Sequence, residues 1–411
     1  MGNGNETLAR QSIFDPEACG INLVDREIFR TDDYLDYFRY LRANRPIYQQ
    51  RRPDTGRFWN ITRYQDVVAA EGMHQVLSSS GSIVFENFYH DFPVKMFIAS
   101  DPPRHTQCRA ALVPLFSTQN LKGLEKLARE RVSAILDDLP RSEPFDWVQR
   151  VSKELTSRML ATLLGIDQEE RHQLVRWSDL ITFNGFSPIE QEAMRQQELM
   201  GCLEYFSALL RRRRDQSTTD MVSSLCGGEI GRGMPPSEIL GNLLLLIIAG
   251  NDTTRNSISG SVLALSQHPD QWSDLVAAPE LIPNMVSETI RWQTPLAYMR
   301  RTAIVDTSLE GEIIRAGDKV LLWYASANQD DTVFENPERF DLHRANARRH
   351  VAYGHGIHRC LGARLAEIQV AVLWEELLAR SLKIDVLTEP TRIPSSFVRG
   401  FSEMWVRLRS A

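Results

Sequence analysis

Apolar positions along the chain recur mainly at the three-to-four-residue spacing of amphipathic helices, and only in short patches at the two-residue alternation of strands. The spacing predicts helices over 32–43, 103–116, 121–139, 147–164, 169–183, 189–214 and 237–267, with a last one over 361–380. After the first helix, IYQQRR and RFWNIT flank Pro53-Asp54-Thr55-Gly56, a turn sequence between apolar runs, which predicts a hairpin. Strand-like runs return at 301–309 and 319–323, and an irregular stretch covers 329–356. The 237–267 helix is long and apolar at its middle. Its run from Leu243 to Gly250 falls far short of the roughly 20 residues that span a bilayer, so a buried helix is expected and no transmembrane anchor. The expected fold is mainly α with minor β sheets, a small β-rich part at about 44–64 preceding a helical bulk over about 101–411. No Gly/Ser linker, proline-rich tract or composition shift divides the chain, and a single domain over 1–411 is expected.

Charge changes this picture little. Fifty-three acidic against 47 basic residues give a net charge of -6, which supplies no global attraction to nucleic acid. The five cysteines, Cys19, Cys108, Cys202, Cys226 and Cys360, are scattered and never form CxxC, which argues against a disulfide framework or a structural zinc site. The opening MGNGNETLARQSIFDPEACG has no basic segment followed by an apolar one, so a cytoplasmic location with reduced thiols is expected.

One cysteine has an unusual setting. Tyr353-Gly354-His355-Gly356-Ile357-His358-Arg359-Cys360-Leu361-Gly362 places glycines around Cys360 immediately before a predicted helix. Glycine allows backbone conformations that a Cβ forbids, while amide groups at a helix start favour negative charge on sulfur. Both suit a bound thiolate. A buried structural cysteine fits the same string, whereas zinc held by His355, His358 and Cys360 would be cramped and without a second ligand pair.

YGHGIHRCLGARLA resembles the haem-binding signature of the cytochrome P450 family, with Tyr353 where that family usually has phenylalanine. The resemblance implies a single-domain P450 fold in which haem b lies between the long central helix and the helix of the cysteine loop. It makes Cys360 the axial thiolate ligand, a donor that favours cleavage of the O–O bond. Two further motifs follow in the family's order. Ala249-Gly250-Asn251-Asp252-Thr253-Thr254 interrupts the apolar run. Alone it suits a helix kink or a polar patch, but it resembles the family's oxygen-activating acid–alcohol pair. On that reading Thr253 steadies bound oxygen and Asp252 helps relay protons. Glu288 and Arg291 lie one helical turn apart and can pair. Most such pairs are surface decoration; this one resembles the family's ExxR motif, a buried structural bridge rather than a catalyst. His105, Arg109, Arg301 and His358 match positions that hold the haem propionates, with Arg300 competing for the role of Arg301.

GNDTTRNS, RWQTPLAYMRRTA, GIHRCLGARLAE and SSFVRGF resemble more narrowly the bacterial alkane and fatty-acid terminal hydroxylases. This implies a small apolar substrate, oxidised with O2 at a methyl end. Since a methyl is a harder target than the neighbouring methylenes, a narrow apolar channel has to present it. Candidate walls are Val84, Phe85, Phe88, Leu245, Ile248, Ala249, Leu296, Ala297, Met299, Phe397 and Val398, any of which could equally be plain core. No strand followed by GxGxxG is found, and the family implies electrons from a two-iron, two-sulfur ferredoxin with an FAD-dependent NADH ferredoxin reductase. Arg109, Arg348, Arg349 and Arg359 are candidates to steer an acidic ferredoxin, each being also a plausible solvated or propionate-bound arginine. Three readings compete: a peroxygenase, which would not require Asp252 and Thr253; a haem-based sensor, which would not turn over; and, within the monooxygenases, hydroxylation of a terpene, steroid or other apolar compound.

Overall fold

The computed structural model describes residues 14–53, 56–85, 95–182, 189–213, 220–226 and 233–410. Helices dominate. The predicted ones appear with ends set by local chemistry. The 103–116 helix is α-helical over Arg104–Leu112 and tightens to a 3-10 turn over Val113–Phe116, because Pro114 has no N–H to continue the ladder. The 147–164 helix opens instead as a wide π turn, Val148–Ser152, before the regular Lys153–Leu164. Thr118–Asp137 starts where Ser117 accepts a hydrogen bond from the Asn120 amide, as N-cap serines do. Helices Tyr64–Gly72, Pro269–Ala277 and Ile282–Gln293 complete regions that periodicity had left undivided.

The central helix, Pro236–Gln267, has 32 residues and starts with proline in its first turn, where a missing N–H costs nothing. At 1.5 Å per residue it is about 48 Å long. Its two halves belong to different cores. Leu243, Leu244, Leu245 and Ile247 pack with Phe206, Leu209, Leu160 and Leu164, whereas Ile258, Val262 and Leu265 pack with Trp147, Trp374 and Leu373. The small and polar residues from Ala249 to Ser257 therefore fall between two apolar cores, and several of them, Asp252 and Thr253 included, face a cavity.

The predicted hairpin forms as β1 (Ile47–Arg52) and β2 (Gly56–Ile61), paired antiparallel. It belongs to a five-stranded sheet with β3 (Leu77–Ser78), β4 (Met299–Ala303) and β5 (Lys319–Leu322), in the order β1-β2-β5-β4-β3. The β2–β5 pair is parallel and the others antiparallel. Among the described residues two smaller sheets, built from the C-terminal strands Leu382–Val386, Thr391–Arg392, Phe401–Glu403 and Trp405–Ser410 with the short Phe145–Asp146, have no counterpart in the sequence reading, and a third pairs Thr307–Leu309, inside the expected 301–309 run, with Glu312–Ile314. Among the described residues no helix is long and apolar enough to cross a membrane.

Candidate active site

The cavity beside the central helix encloses about 1740 Å³ between its lining atoms, part of it open to solvent. Asp252, Thr253 and Cys360 all line it. Cys360 is held by a loop that closes on itself: its amide donates to the Tyr353 carbonyl at 2.7 Å, and Gly354 and Gly356 turn the chain at φ 70° and 64°. Those angles strain any residue with a Cβ. The thiol has accessible surface only because it faces the cavity; it lies inside the molecule. Burial pushes its pKa up, against the amides of Gly362 and Ala363 and the charges of Arg109 and Arg359, which favour the thiolate. The Tyr353 hydroxyl donates to the Ala363 carbonyl at 3.2 Å, tying the loop to the first turn of helix Ala363–Ala379.

His105, Arg109, Arg301 and His358 gather on this cavity from three separate parts of the chain. The rings of His105 and His358 lie 4.2 Å apart, centroid to centroid. Burial, followed by the nearby cations, lowers the pKa of His105 to about 4 and of His358 to about 2, so both are neutral at pH 7. Both ring nitrogens of His105 and Nδ1 of His358 are buried with no hydrogen-bond partner. Each such orphan costs about 1–3 kcal/mol, and together with two guanidiniums they suit a ligand bearing two carboxylates. Haem, with its two propionates, fits this donor set, and Cys360 offers sulfur on the same cavity. The competition between Arg300 and Arg301 is decided by strand geometry. Successive side chains of β4 point to opposite faces. Arg301 reaches the cavity, and Arg300 turns to donate to the carbonyls of Val84 and Phe85.

Asp252 is not an open carboxylate. Its Oδ1 accepts from Ser178 at 3.0 Å and pairs with Arg255 Nη2 at 3.0 Å. Arg255 reaches on to Asp179, which also holds Lys153 at 3.0 Å, so a chain of alternating charges runs from the cavity wall to partly exposed Asp179. Thr253 donates to the Ala249 carbonyl, four residues back along the helix, at 2.8 Å. Sequence inspection missed Ser178 and Asp179, which sit about 75 positions away.

Glu288 and Arg291 form a fully buried pair, with Arg291 Nε and Nη2 each 2.7 Å from a carboxylate oxygen. A third member joins them: Arg344 Nε lies 2.9 Å from Glu288 Oε1. Arg291 also donates to the carbonyls of Asn328 and Arg339, fixing the irregular stretch ahead of the cysteine loop.

Of the expected walls, Leu245, Ile248, Ala249, Leu296, Met299, Phe397 and Val398 line the cavity. Three do not. Phe85 and Ala297 point away into the core that holds Phe58, Tyr298 and Trp323, and Val84 is likewise displaced from the lining in favour of Ile83. Leu296 and Ala297 are neighbours in extended chain and so face opposite ways. Phe88 lies outside the described residues. Phe97 and Ile98 are further wall residues that no sequence signal marked.

The family profile described as Cytochrome P450 matches residues 48–401. The linalool 8-monooxygenase of Pseudomonas putida is 33% identical over 386 residues, covering 91% of this chain and 95% of that one. The methyl-branched lipid omega-hydroxylase of Mycobacterium tuberculosis is 32% identical over 360 residues, covering 84% of this chain and 83% of that one. Among solved structures, cytochrome P450-153 from Novosphingobium aromaticivorans superposes with a TM-score of 0.88 at 40% identity, covering 94% of this chain and 99% of that one.

Proposed function

The chain belongs to the cytochrome P450 family, whose cofactor is haem b on a cysteine thiolate, and from that premise we propose that it hydroxylates the methyl end of medium-chain alkanes or fatty acids. Haem, when bound, would supply the oxidising chemistry: O2, two electrons and two protons convert a C–H bond to C–OH, and the second oxygen atom leaves as water. One observation carries the reading, namely that the Cys360 thiol and the Thr253 hydroxyl line the same cavity as a run of apolar side chains.

Cys360 holds the iron, and His105, Arg109, Arg301 and His358 hold the propionates, which would also partner the buried ring nitrogens left unpaired on the two histidines. Asp252, fixed by Ser178 and Arg255, passes protons toward Thr253, whose hydroxyl can donate and accept. Leu245, Ile248, Leu296, Met299 and Phe397 exclude water and leave an apolar chain only its end to present. Electrons come from a two-iron, two-sulfur ferredoxin and its FAD-dependent NADH reductase, docking against exposed Arg348, Arg349 and Arg359 on the cysteine side. Similarity to the methyl-branched lipid omega-hydroxylase supports attack at a chain end. Similarity to linalool 8-monooxygenase favours a second reading, hydroxylation of a terpene.

The test is product analysis after reconstitution with a ferredoxin, its reductase and NADH, on a panel of alkanes, fatty acids, terpenes and steroids. Primary alcohols from the linear chains are expected, preceded by a low-to-high-spin shift on binding. Turnover of terpenes or steroids alone would overturn the terminal-hydroxylase reading.

A further inference from the structure

Glu71 belongs to none of the motifs above, yet its carboxylate is buried within reach of the cavity. It sits in the last turn of helix Tyr64–Gly72, 2% exposed. That is an unfavourable place for an anion, because a helix C-terminus already carries partial negative charge. A carboxylate taken out of water also needs close partners. Glu71 finds two, both cavity-lining: Arg301, whose Nη2 lies 2.7 Å from its Oε2, and Tyr324, whose hydroxyl donates to its Oε1. The cysteine loop is built directly against this group. A Cβ on Gly354 would stand 3.3 Å from the Tyr324 oxygen and 3.7 Å from Glu71 Oε1, and one on Gly356 would stand 3.3 Å from the Glu71 carbonyl.

The charges at this end of the cavity then do not balance. Arg109 and Arg301 are the arginines that line it. Glu71 already engages Arg301, so two propionates would share little more than the single positive charge of Arg109. Excess negative charge beside the haem opposes the arrival of an electron.

We infer that Glu71 is a positioning residue that ties up Arg301 and thereby holds the reduction potential of the haem iron below the value an unshared arginine would give it. This rests on the reading that Arg301 faces a propionate. The step concerned is the transfer of one electron from a reductant to ferric haem, giving ferrous haem, with no proton moved.

The test is a mediated dithionite titration of the holoprotein, followed by its haem absorbance. In Glu71→Gln the charge goes and the shape stays, and the one-electron reduction equilibrium is expected to favour ferrous haem about tenfold more, a shift of about 59 mV to the positive. Glu71→Met, also uncharged, should move the same way and serves if the amide folds poorly. Glu238→Gln makes the same change in the half-buried Arg104–Glu238 pair, whose members do not line the cavity, and should leave the potential unmoved. A Glu71→Gln equilibrium within about twofold of the parent, or shifted the other way, or an equal shift in Glu238→Gln, overturns the inference. Haem transfer from Arg301→Gln to apomyoglobin tests the premise separately. Transfer as slow as in the parent removes Arg301 from the propionates, whereas faster transfer with an unmoved Glu71→Gln potential refutes the role of Glu71 alone.

Discussion

Replacing Glu288 with glutamine should strand the two buried arginines that share its carboxylate. Glu288 receives four hydrogen bonds: Arg291 Nε and Nη2 at 2.7 Å each, Arg344 Nε at 2.9 Å and the Asp341 amide at 3.1 Å. In Glu288→Gln two buried guanidiniums remain close together with no anion between them. Breaking a buried pair in this way costs about 3–5 kcal/mol. In Arg344→Gln the carboxylate keeps its two-pronged bond to Arg291. That variant loses one charge-assisted hydrogen bond to Glu288, about 1.5–3 kcal/mol, and also the donations to the Glu335, Asn336 and Arg339 carbonyls, so its total falls in a similar range. Urea unfolding of the haem-loaded protein, followed both by circular dichroism and by haem absorbance, measures both costs. Since Arg291 ties the stretch ahead of the cysteine loop, the haem signal in Glu288→Gln should be lost at lower urea than the helical signal. A loss under about 1 kcal/mol for Glu288→Gln would refute the account of a shared anion clamped by two arginines.

Thr253→Ala should retain haem and its carbon-monoxide spectrum while NADH consumption is diverted from product to hydrogen peroxide; unchanged product per NADH would remove Thr253 from proton delivery. Cys360→His should abolish the strongly red-shifted Soret band of the reduced carbon-monoxide complex, which reports thiolate ligation, and persistence of that band would exclude Cys360 as the ligand. Gly400→Ala should destabilise the fold by about 1–3 kcal/mol in denaturant unfolding, because the added Cβ would land 2.0 Å from Asn256 Oδ1 on the central helix.

Local chemistry was readable before the structure, and long-range partners were not. The hairpin, the long central helix and the glycine-bracketed Cys360 each depend on residues a few positions apart, and each formed where periodicity and turn residues put it. Glu288 and Arg291 pair within one turn, so spacing sufficed; Arg344 joins from 56 positions away and left no local trace. Asp252 stands out in an apolar run, but Ser178 and Asp179, which complete its surroundings, lie on a helix whose sequence looks like any other amphipathic surface. The cavity walls failed for a different reason. Contiguous segments such as 296–299 were read as lining, although Leu296 and Met299 face the cavity and Ala297 the core. Glu71 went unremarked because a carboxylate near a helix end ordinarily signals solvent.

The depth at which the Arg255–Asp252 pair is set, with both side chains 1% exposed, separates two electrostatic roles that one chain has to perform together. Mobile ions cannot enter there. Raising ionic strength from physiological levels toward 1 M shortens the Debye length from about 8 to about 3 Å, which weakens any encounter made through the exposed Arg348, Arg349 and Arg359. The buried pair at the cavity wall feels almost none of this. On the proposed function, salt would thus slow the arrival of electrons while leaving the Arg255–Asp252 pair as it was.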